Sequence, residues 1–239
     1  MFAFRIEMDP TKTYPQSWAG KLRDLECDGQ IQLGTPFGDC LRRLGADTRY
    51  QKFVEIGTWN GRGSTLCLLE GMAEQGKGYH PTLRSVEANE AAAAAAKELW
   101  GWRAGVPIKV FHGRLCKEMM GDGEILAHPL YQKVMAHHRL HGQAERRDFA
   151  DAPLLSFSDG ADVVVADGGE FSGWSDWLAV RALRPKVVCL DDTEVMKNEK
   201  VLREMLLEGW SLLASGRDRN GWAVLAAPGT SSYVYDLWK

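Results

Sequence analysis

A regular alternation of short apolar runs with helix-compatible segments, beginning near Lys52, constrains the fold more than any other feature of this sequence. Five of the runs are predicted strands: KFVEIG (52–57), TLRSVEAN (82–89), PIKVFHG (107–113), ADVVVADGG (161–169) and KVVCLDDT (186–193). Short continuous apolar runs are typical of strands buried on both faces, and strands that alternate with helices form parallel sheets. The sequence therefore predicts an α/β fold with a doubly wound, mostly parallel sheet.

The length of 239 residues suits one α/β domain with additions. We expect residues 1–50 to form an N-terminal cap that precedes the sheet. Residues 114–159 are too many for a simple connection between the third and fourth strands, so we expect a helical insertion there. A helix over 199–210 and two strand-like runs, 210–216 and 221–228, complete the predicted domain.

The composition describes an ordinary globular protein, with 45% apolar residues, 26% charged residues and a net charge of −3. A nucleic-acid-binding protein more often has a basic excess, so we expect no nucleic-acid partner. The five cysteines are odd in number and form no CxxC pair, which is typical of reduced thiols in a cytoplasmic protein. No apolar run approaches the roughly 18 residues that a membrane span needs, and no signal-peptide core is present. We therefore expect a cytoplasmic protein without a membrane span.

Acidic residues end most of the predicted strands. In open α/β sheets, ligands bind in the crevice outside the carboxyl ends of the strands. The third strand ends at His112, whereas the other four end at Glu55, Glu87, Asp167 and the pair Asp191 and Asp192. The sequence thus predicts a ligand site in which carboxylates converge on one edge of the sheet.

The segment FVEIGTWNGRGST (53–65) joins the first strand to a helix through three glycines. The spacing is G-x-x-x-G-x-G, not the G-x-G-x-x-G of dinucleotide-binding proteins, and Glu55 would repel a pyrophosphate. S-adenosylmethionine fits better, because its ammonium and sulfonium are cationic and Glu87 could accept from its ribose diol. A dinucleotide remains the weaker alternative, and the glycines could also serve only the close packing of a tight turn.

The ordered set VEIGTWNGRGST, VEAN, VFHG, VVVADGGEF and VVCLDDT resembles the class I S-adenosylmethionine-dependent methyltransferases. Within them it is most similar to bacterial and viral small-molecule or sugar O-methyltransferases that have a DGG or DGD motif and a later DD pair. The resemblance covers about residues 52–227 without the insertion. It implies S-adenosylmethionine as cofactor, with Glu87 at the ribose, Gly113 and Arg114 near the adenine, and the methionine part surrounded by Glu55, Gly57, Thr58, Asn60, Gly61, Ser64 and Thr65.

Three carboxylates, those of Asp167, Asp191 and Asp192, would repel one another unless protons or a cation neutralised them. Mg²⁺ prefers oxygen ligands, and a bound cation lowers the pKa of a coordinated hydroxyl. The resemblance to catechol-type and macrolide-sugar O-methyltransferases implies that these three residues bind Mg²⁺ or Mn²⁺, with Asp167 and Asp192 at the reacting centre. Alternatively, Asp167 contacts cofactor or substrate directly, and Asp191 or Asp192 caps the following helix.

Glu170 is the leading candidate for the general base. Catechol-type enzymes have a lysine three residues after the first metal-binding aspartate, and this sequence departs from that pattern with Glu170. A sugar hydroxyl is less acidic than a phenol and benefits from a carboxylate base. Glu170 could instead orient another group or accept a hydrogen bond from the substrate, and His112 is a weaker candidate for the base.

The predicted acceptor is a hydroxyl of a sugar, a glycan or a glycosylated small molecule. A phenol, a protein side chain or a nucleic acid is the alternative acceptor, and a non-catalytic nucleotide- or sugar-binding module is the alternative function. Lys197 and Asn198, together with residues 219–222, follow the fifth strand in segments that could contact the substrate.

Two further segments leave questions open. His137 and His141 are four apart in the predicted insertion, a spacing compatible with metal binding, although a solvated basic helix is the favoured interpretation. Tyr233, Tyr235 and Trp238 could pack against the same chain or against a second copy of it, and we favour a homo-oligomer.

Overall fold

The computed structural model of the protein describes residues 22, 25, 29–75, 78–103 and 105–230. Seven strands in these ranges form one sheet of order β3-β2-β1-β4-β5-β7-β6. Strands β1 to β5 are parallel, and β7 is antiparallel to both of its neighbours. The strands are β1 (Lys52–Ile56), β2 (Thr82–Glu87), β3 (Ile108–His112), β4 (Val163–Ala166), β5 (Val187–Asp191), β6 (Ser211–Gly216) and β7 (Trp222–Ala226).

Helices connect the strands, and all five predicted parallel strands are present. The doubly wound, mostly parallel α/β fold is confirmed. The segment between β3 and β4 contains two of the helices, α4 and α5. The helices are α1 (Pro36–Ala46), α2 (Ser64–Ala73), α3 (Glu90–Gly101), α4 (Asp122–Ala127), α5 (Tyr131–Asp151), α6 (Gly173–Val180) and α7 (Glu199–Leu207).

Side-chain caps explain where two of the helices begin. The hydroxyl of Thr35 accepts a hydrogen bond from the N–H of Gly38, and Pro36 supplies a preset φ at the first helical position of α1. Asn89 accepts from the N–H of Ala92 at the start of α3. These caps fix the first turns of α1, which precedes β1, and of α3, which follows β2.

Apolar layers cover both faces of the sheet. Strand β1 directs Phe53 into one layer and Val54 into the other, because successive side chains of a strand point to opposite faces. Helices α1 and α2 pack together on the first face. A Cβ at Gly71 would lie 1.8 Å from the carbonyl oxygen of Arg42, so only glycine permits this close approach. The rigid centre of the sheet thus supports the carboxyl edge where the candidate site lies.

Several predictions concern residues outside the described ranges, namely most of the predicted N-terminal cap, Cys27, Tyr233, Tyr235 and Trp238. Within the described ranges, no helix is both long and apolar enough to cross a membrane. The four described cysteines are buried free thiols, as expected of reduced residues.

Candidate functional site

The register of the parallel strands brings the predicted site residues to one edge. Ile56 pairs with Ala166, and Ala166 pairs with Leu190, so Gly57, Asp167 and Asp191 follow one another across neighbouring strand ends. The N–H of Asp167 donates to the carbonyl oxygen of Ile56 at 2.9 Å. The arrangement therefore joins the glycine turn and the acidic residues in one crevice.

Glu55 lies beneath the glycine turn and is fully buried. Its carboxylate accepts hydrogen bonds from the hydroxyls of Thr58 at 3.0 Å, Ser64 at 2.7 Å, Thr65 at 2.7 Å and Ser85. Burial raises the pKa of Glu55, and the four hydroxyls lower it. Glu55 therefore holds the turn to the first residues of α2. Its predicted contact with the methyl donor stays a prediction, as do those of Thr58, Ser64 and Thr65.

The glycine turn depends on two left-handed glycines, Gly57 with φ of +87° and Gly61 with φ of +81°. A Cβ at Gly57 would lie 1.9 Å from the carbonyl oxygen of Asp167, so a side chain there would separate β1 from β4. Asn60 accepts from the N–H of Arg62 at 3.0 Å and closes the turn. Beyond the turn, α2 has no side-chain cap, which leaves its N-terminus suited to an anionic group such as a carboxylate.

Glu87 is held at the end of β2 by two backbone donors. Its Oε2 accepts from the N–H of Trp59 at 2.8 Å, and its Oε1 accepts from the N–H of Asn89 at 2.9 Å. Burial raises the pKa of Glu87, and these N–H groups lower it. The fixed carboxylate lies next to the glycine turn, where it could accept hydrogen bonds from a ribose diol.

Gly113 and Arg114 lie at the end of β3, but the guanidinium of Arg114 is engaged within the chain. It donates to the carbonyl oxygens of Ala152 at 3.1 Å, Cys116 at 2.9 Å and Lys117 at 2.8 Å. Arg114 therefore fastens the β3 end to the end of α5. The predicted adenine contacts of Gly113 and Arg114 stay predictions.

Asp167, Asp191 and Asp192 meet as predicted, with one carboxylate oxygen from each within 4.8 Å of the others. Two cationic side chains also enter this cluster. The Nζ of Lys197 donates to Asp167 at 2.6 Å and to Asp192 at 3.0 Å. The guanidinium of Arg219 donates to Asp191 at 2.8 Å. Lys197 and Arg219 thus supply positive charge that was expected from a metal.

The three carboxylates differ in their surroundings. Burial raises the pKa of Asp167, and the charge of Asp192 adds to the rise. Burial raises the pKa of Asp191 to about 7, and the charges of Asp167 and Asp192 add to the rise. Burial also tends to raise the pKa of Asp192, but Lys197, Asn220 and Arg219 together outweigh it, so that this pKa is lowered. Burial lowers the pKa of Lys197, yet the carboxylates raise it above its ordinary value overall. Lys197 and Asp192 therefore form a charged pair, and the guanidinium of Arg219 adds a second positive charge.

A divalent metal fits this cluster only in part. Three carboxylates are a suitable donor set for Mg²⁺ or Mn²⁺, which approach oxygen ligands to about 2.1 Å. The ammonium of Lys197, however, already contacts the oxygens of two of the three predicted ligands. A metal would have to displace it. The arrangement as it stands therefore does not fit the predicted metal.

Glu170 lies in the loop that follows Asp167. Its Oε1 is buried and has no hydrogen-bond partner among the described residues. Burial raises the pKa of Glu170 to about 7, although the nearby charge of Lys197 lowers it. A buried carboxylate oxygen with free capacity is suited to accept a proton or a hydrogen bond from a ligand. His112, the weaker candidate for the base, instead lies with its Nε2 at 3.1 Å from the carbonyl oxygen of Ala88.

Helix α5 of the insertion packs beside the Glu170 loop, which the sequence analysis did not predict. Glu145 accepts from the N–H of Phe171 at 3.3 Å, and its other oxygen lies 3.2 Å from Nε2 of His137. The rings of His137 and Phe171 are in edge-on contact. His137 and Glu145 are eight residues apart, a two-turn spacing that places both on one helix face. This spacing is the sequence signal that could have indicated the pairing of His137 with Glu145.

His137 and His141, whose spacing is compatible with metal binding, are not joined by a third ligand among the described residues. In the described part of the chain, the acidic cluster is the group of three or more suitable ligands that could hold an ion. Three residues that were expected only as possible substrate contacts belong to the acidic site instead, namely Lys197, Arg219 and Asn220. Asn220 donates to Asp192 at 3.0 Å.

A scan against protein-family models gave no match, and neither did a comparison with curated proteins. The fold is similar to that of the cofactor-bound Rv0187 from MTB, with a TM-score of 0.52 and 16% identity over 87% of this chain and 85% of that chain. The O-methyltransferase from Bacillus cereus, in complex with SAH, gives a TM-score of 0.51 and 16% identity over 89% of this chain and 91% of that chain.

TomG from Streptomyces achromogenes, an O-methyltransferase involved in tomaymycin synthesis and solved with SAM, gives a TM-score of 0.50 and 16% identity over 90% of this chain and 91% of that chain. The chain thus shares the Rossmann-like α/β fold of these solved O-methyltransferases. The resemblance found in the five strand ends is therefore matched at the level of architecture, and the candidate site lies at the carboxyl edge where ligands bind in such sheets.

Proposed function

We propose that the protein is an S-adenosylmethionine-dependent O-methyltransferase. The observation that carries the proposal is the buried Oε1 of Glu170, which has no hydrogen-bond partner among the described residues. Glu170 lies three residues after Asp167, and the N–H of Asp167 donates to Ile56 beside the glycine turn. A methyl donor held by the turn and by Glu87 would lie next to a carboxylate able to accept a proton. The fold shared with two solved O-methyltransferases supports the same assignment.

The reaction needs alignment more than activation, because the sulfonium already activates the methyl carbon. The acceptor oxygen forms a bond to this carbon as the sulfur–carbon bond breaks, and the bonding pair stays on sulfur as a thioether. Glu170 takes the hydroxyl proton and becomes a neutral carboxylic acid. In this scheme the glycine turn and Glu87 position the donor, and Glu170 acts on the acceptor.

The proposed acceptor is a hydroxyl of a sugar, a glycan or a glycosylated small molecule. Glu170 supports this choice, since a carboxylate base suits an alcohol, whereas the lysine of catechol-type enzymes suits an acidic phenol. Metal assistance stays a prediction, and the ammonium of Lys197 within the acidic cluster argues against it.

Ligand binding tests the proposed function directly. We expect S-adenosylhomocysteine to raise the melting temperature and to bind in isothermal titration calorimetry, because a ligand specific for the native state stabilises it. NAD and nucleotide sugars serve as comparison ligands. Stabilisation by NAD or a nucleotide sugar without any effect of S-adenosylhomocysteine would overturn the proposal and favour a binding module.

The acceptor is tested in a second step. Incubation with radiolabelled S-adenosylmethionine and a panel of sugars, glycosides and phenols should transfer label to the hydroxylated sugars. Transfer to the phenols alone would reject the proposed acceptor class while leaving the methyl donor in place.

A further inference from the structure

We infer that Lys197 is the resident cation of the acidic cluster and excludes a divalent metal from it. This inference deepens the proposed methyltransferase function, and its consequence for the reaction rests on that function. The acidic cluster is defined by Asp167, Asp191 and Asp192.

The ammonium of Lys197 lies inside the acidic cluster rather than at its rim. The side chain is 7% exposed, and its Nζ donates to Asp167 at 2.6 Å and to Asp192 at 3.0 Å. A buried lysine is stable only when paired carboxylates replace its lost hydration. The two contacts supply that replacement.

The backbone holds Lys197 in this position independently of its charge. The side chain of its neighbour Asn198 donates to the carbonyl oxygens of Ala166 at 3.1 Å and Asp191 at 2.6 Å, which joins the ends of β4 and β5. The carbonyl of Lys197 packs so closely on α6 that a Cβ at Gly173 would lie 1.8 Å from its oxygen. The bonds of Asn198 and the close packing of the Lys197 carbonyl therefore fix the backbone at Lys197.

Two further carboxylate oxygens of the cluster are also engaged, Oδ2 of Asp191 and Oδ1 of Asp192. Arg219 donates to Asp191 at 2.8 Å, and Asn220 donates to Asp192 at 3.0 Å. With all three carboxylates ionised, two cations face three anions, which leaves one negative charge beside the proposed position of a cationic methyl donor. Side-chain donors of the chain thus bind four of the six carboxylate oxygens of the cluster.

A metal ion would compete with Lys197 for the same oxygens. Its binding would require the ammonium to leave both partners, and removing one partner from a buried ion pair is costly. Deletion of the ammonium should have the opposite effect, because it would leave three converging carboxylates without their main counter-ion. The inference thus predicts that metal affinity is gained, not lost, when the lysine is removed.

The ammonium can also take over part of what a metal supplies to methyl transfer. Lysine has three N–H donors, and two are given to Asp167 and Asp192. The third can donate to the acceptor oxygen and stabilise the negative charge that develops there as Glu170 removes the proton. Lys197 would then orient the acceptor without any change in its own protonation.

Titration with Mn²⁺ followed by electron paramagnetic resonance tests the inference without any need for an acceptor. We expect no specific Mn²⁺ binding to the wild-type protein and one bound ion in Lys197→Met. The affinity of the variant should exceed any residual affinity of the wild type by at least about tenfold, since the competing buried ion pair is worth more than one decade of affinity. Adding Asp191→Asn to Lys197→Met should abolish the gain. Lys200→Met, on the exposed surface of α7, is the matched control and should behave as wild type.

Specific Mn²⁺ binding by the wild-type protein that Asp191→Asn removes would overturn the inference, as would a folded Lys197→Met protein that gains no binding. Circular dichroism establishes folding, and Lys197→Gln replaces Lys197→Met if that variant fails to fold. Parallel titration with S-adenosylhomocysteine keeps the two proposals apart. If the wild-type protein does not bind S-adenosylhomocysteine, the methyltransferase function is rejected. The role of Lys197 is decided by the Mn²⁺ titrations alone.

Discussion

The ammonium nitrogen of Lys197 lies 2.6 Å from a carboxylate oxygen of Asp167, at the point where β4 ends. The same nitrogen contacts Asp192 beyond the end of β5. One side chain from the following loop therefore links the ends of two adjacent central strands. The contact affects stability as well as chemistry, because it neutralises charge inside the crevice.

Lys197→Met should destabilise the protein by about 3–5 kcal/mol, since it leaves buried carboxylates without their cation. Urea denaturation measures the free energy of unfolding. The control Lys200→Met should change it by no more than about 1 kcal/mol, because Lys200 is exposed and loses only its contact with the ring of Trp174. Mn²⁺ should restore part of the lost stability in Lys197→Met and none in wild type. Equal effects of the two lysine substitutions would contradict the structural role of Lys197.

Glu170→Gln should lower kcat by about 10²- to 10⁴-fold, because an amide cannot accept the proton. The affinity for S-adenosylhomocysteine should be unchanged, since Glu170 acts on the acceptor. Steady-state kinetics and calorimetry measure the two quantities. Glu98→Gln, on the exposed face of α3, is the control for the loss of a carboxylate. A full rate in Glu170→Gln would remove Glu170 as the base.

The rate should also depend on pH in a defined direction. Burial raises the pKa of Glu170 to about 7, and only the ionised carboxylate accepts a proton. We therefore expect kcat to increase as pH rises through about 7 and to level off above it. Glu170→Gln should lose this rise. The pH profile of kcat for both proteins provides the check, and an identical rise in the variant would assign the titration to another group.

Glu87→Gln should weaken S-adenosylhomocysteine binding roughly tenfold, because a charged acceptor for the ribose diol becomes a neutral one. The amide of the variant has one oxygen in place of two, so only one of the two backbone N–H donors keeps its acceptor. The melting temperature should therefore fall slightly as well. Calorimetry with Glu98→Gln as the control separates the two effects. Unchanged affinity would place the ribose elsewhere.

Glu55→Gln should lower the free energy of unfolding by about 1–3 kcal/mol, since the amide nitrogen cannot accept from the surrounding hydroxyls. The hydroxyls of Ser64, Thr65 and Ser85 all converge on this carboxylate. Urea denaturation gives the magnitude, and Glu98→Gln again controls for a surface change. A variant as stable as wild type would show that the network does not support the turn.

The order of the strands and the residues at their ends could be predicted because the signals are local. The apolar run of β4 and the carboxylate of Asp167 are adjacent in sequence, and a parallel sheet places all such strand ends on one edge. The same rule placed Glu87, Asp191 and Asp192 correctly. The rule did not predict the surroundings of Glu55, because its burial and its four hydroxyl donors are properties of the folded turn, not of the strand.

An α/β sheet whose carboxyl edge carries a glycine turn and a group of carboxylates follows from the order of residues along the chain. Which cations pair with these carboxylates depends on the folded chain. Lys197 comes from a loop whose inward orientation depends on the bonds of Asn198 to two strand ends, and Arg219 reaches Asp191 from 28 residues further along the chain. The physical reason is that charge pairing depends on distance in space, whereas a sequence records only distance along the chain.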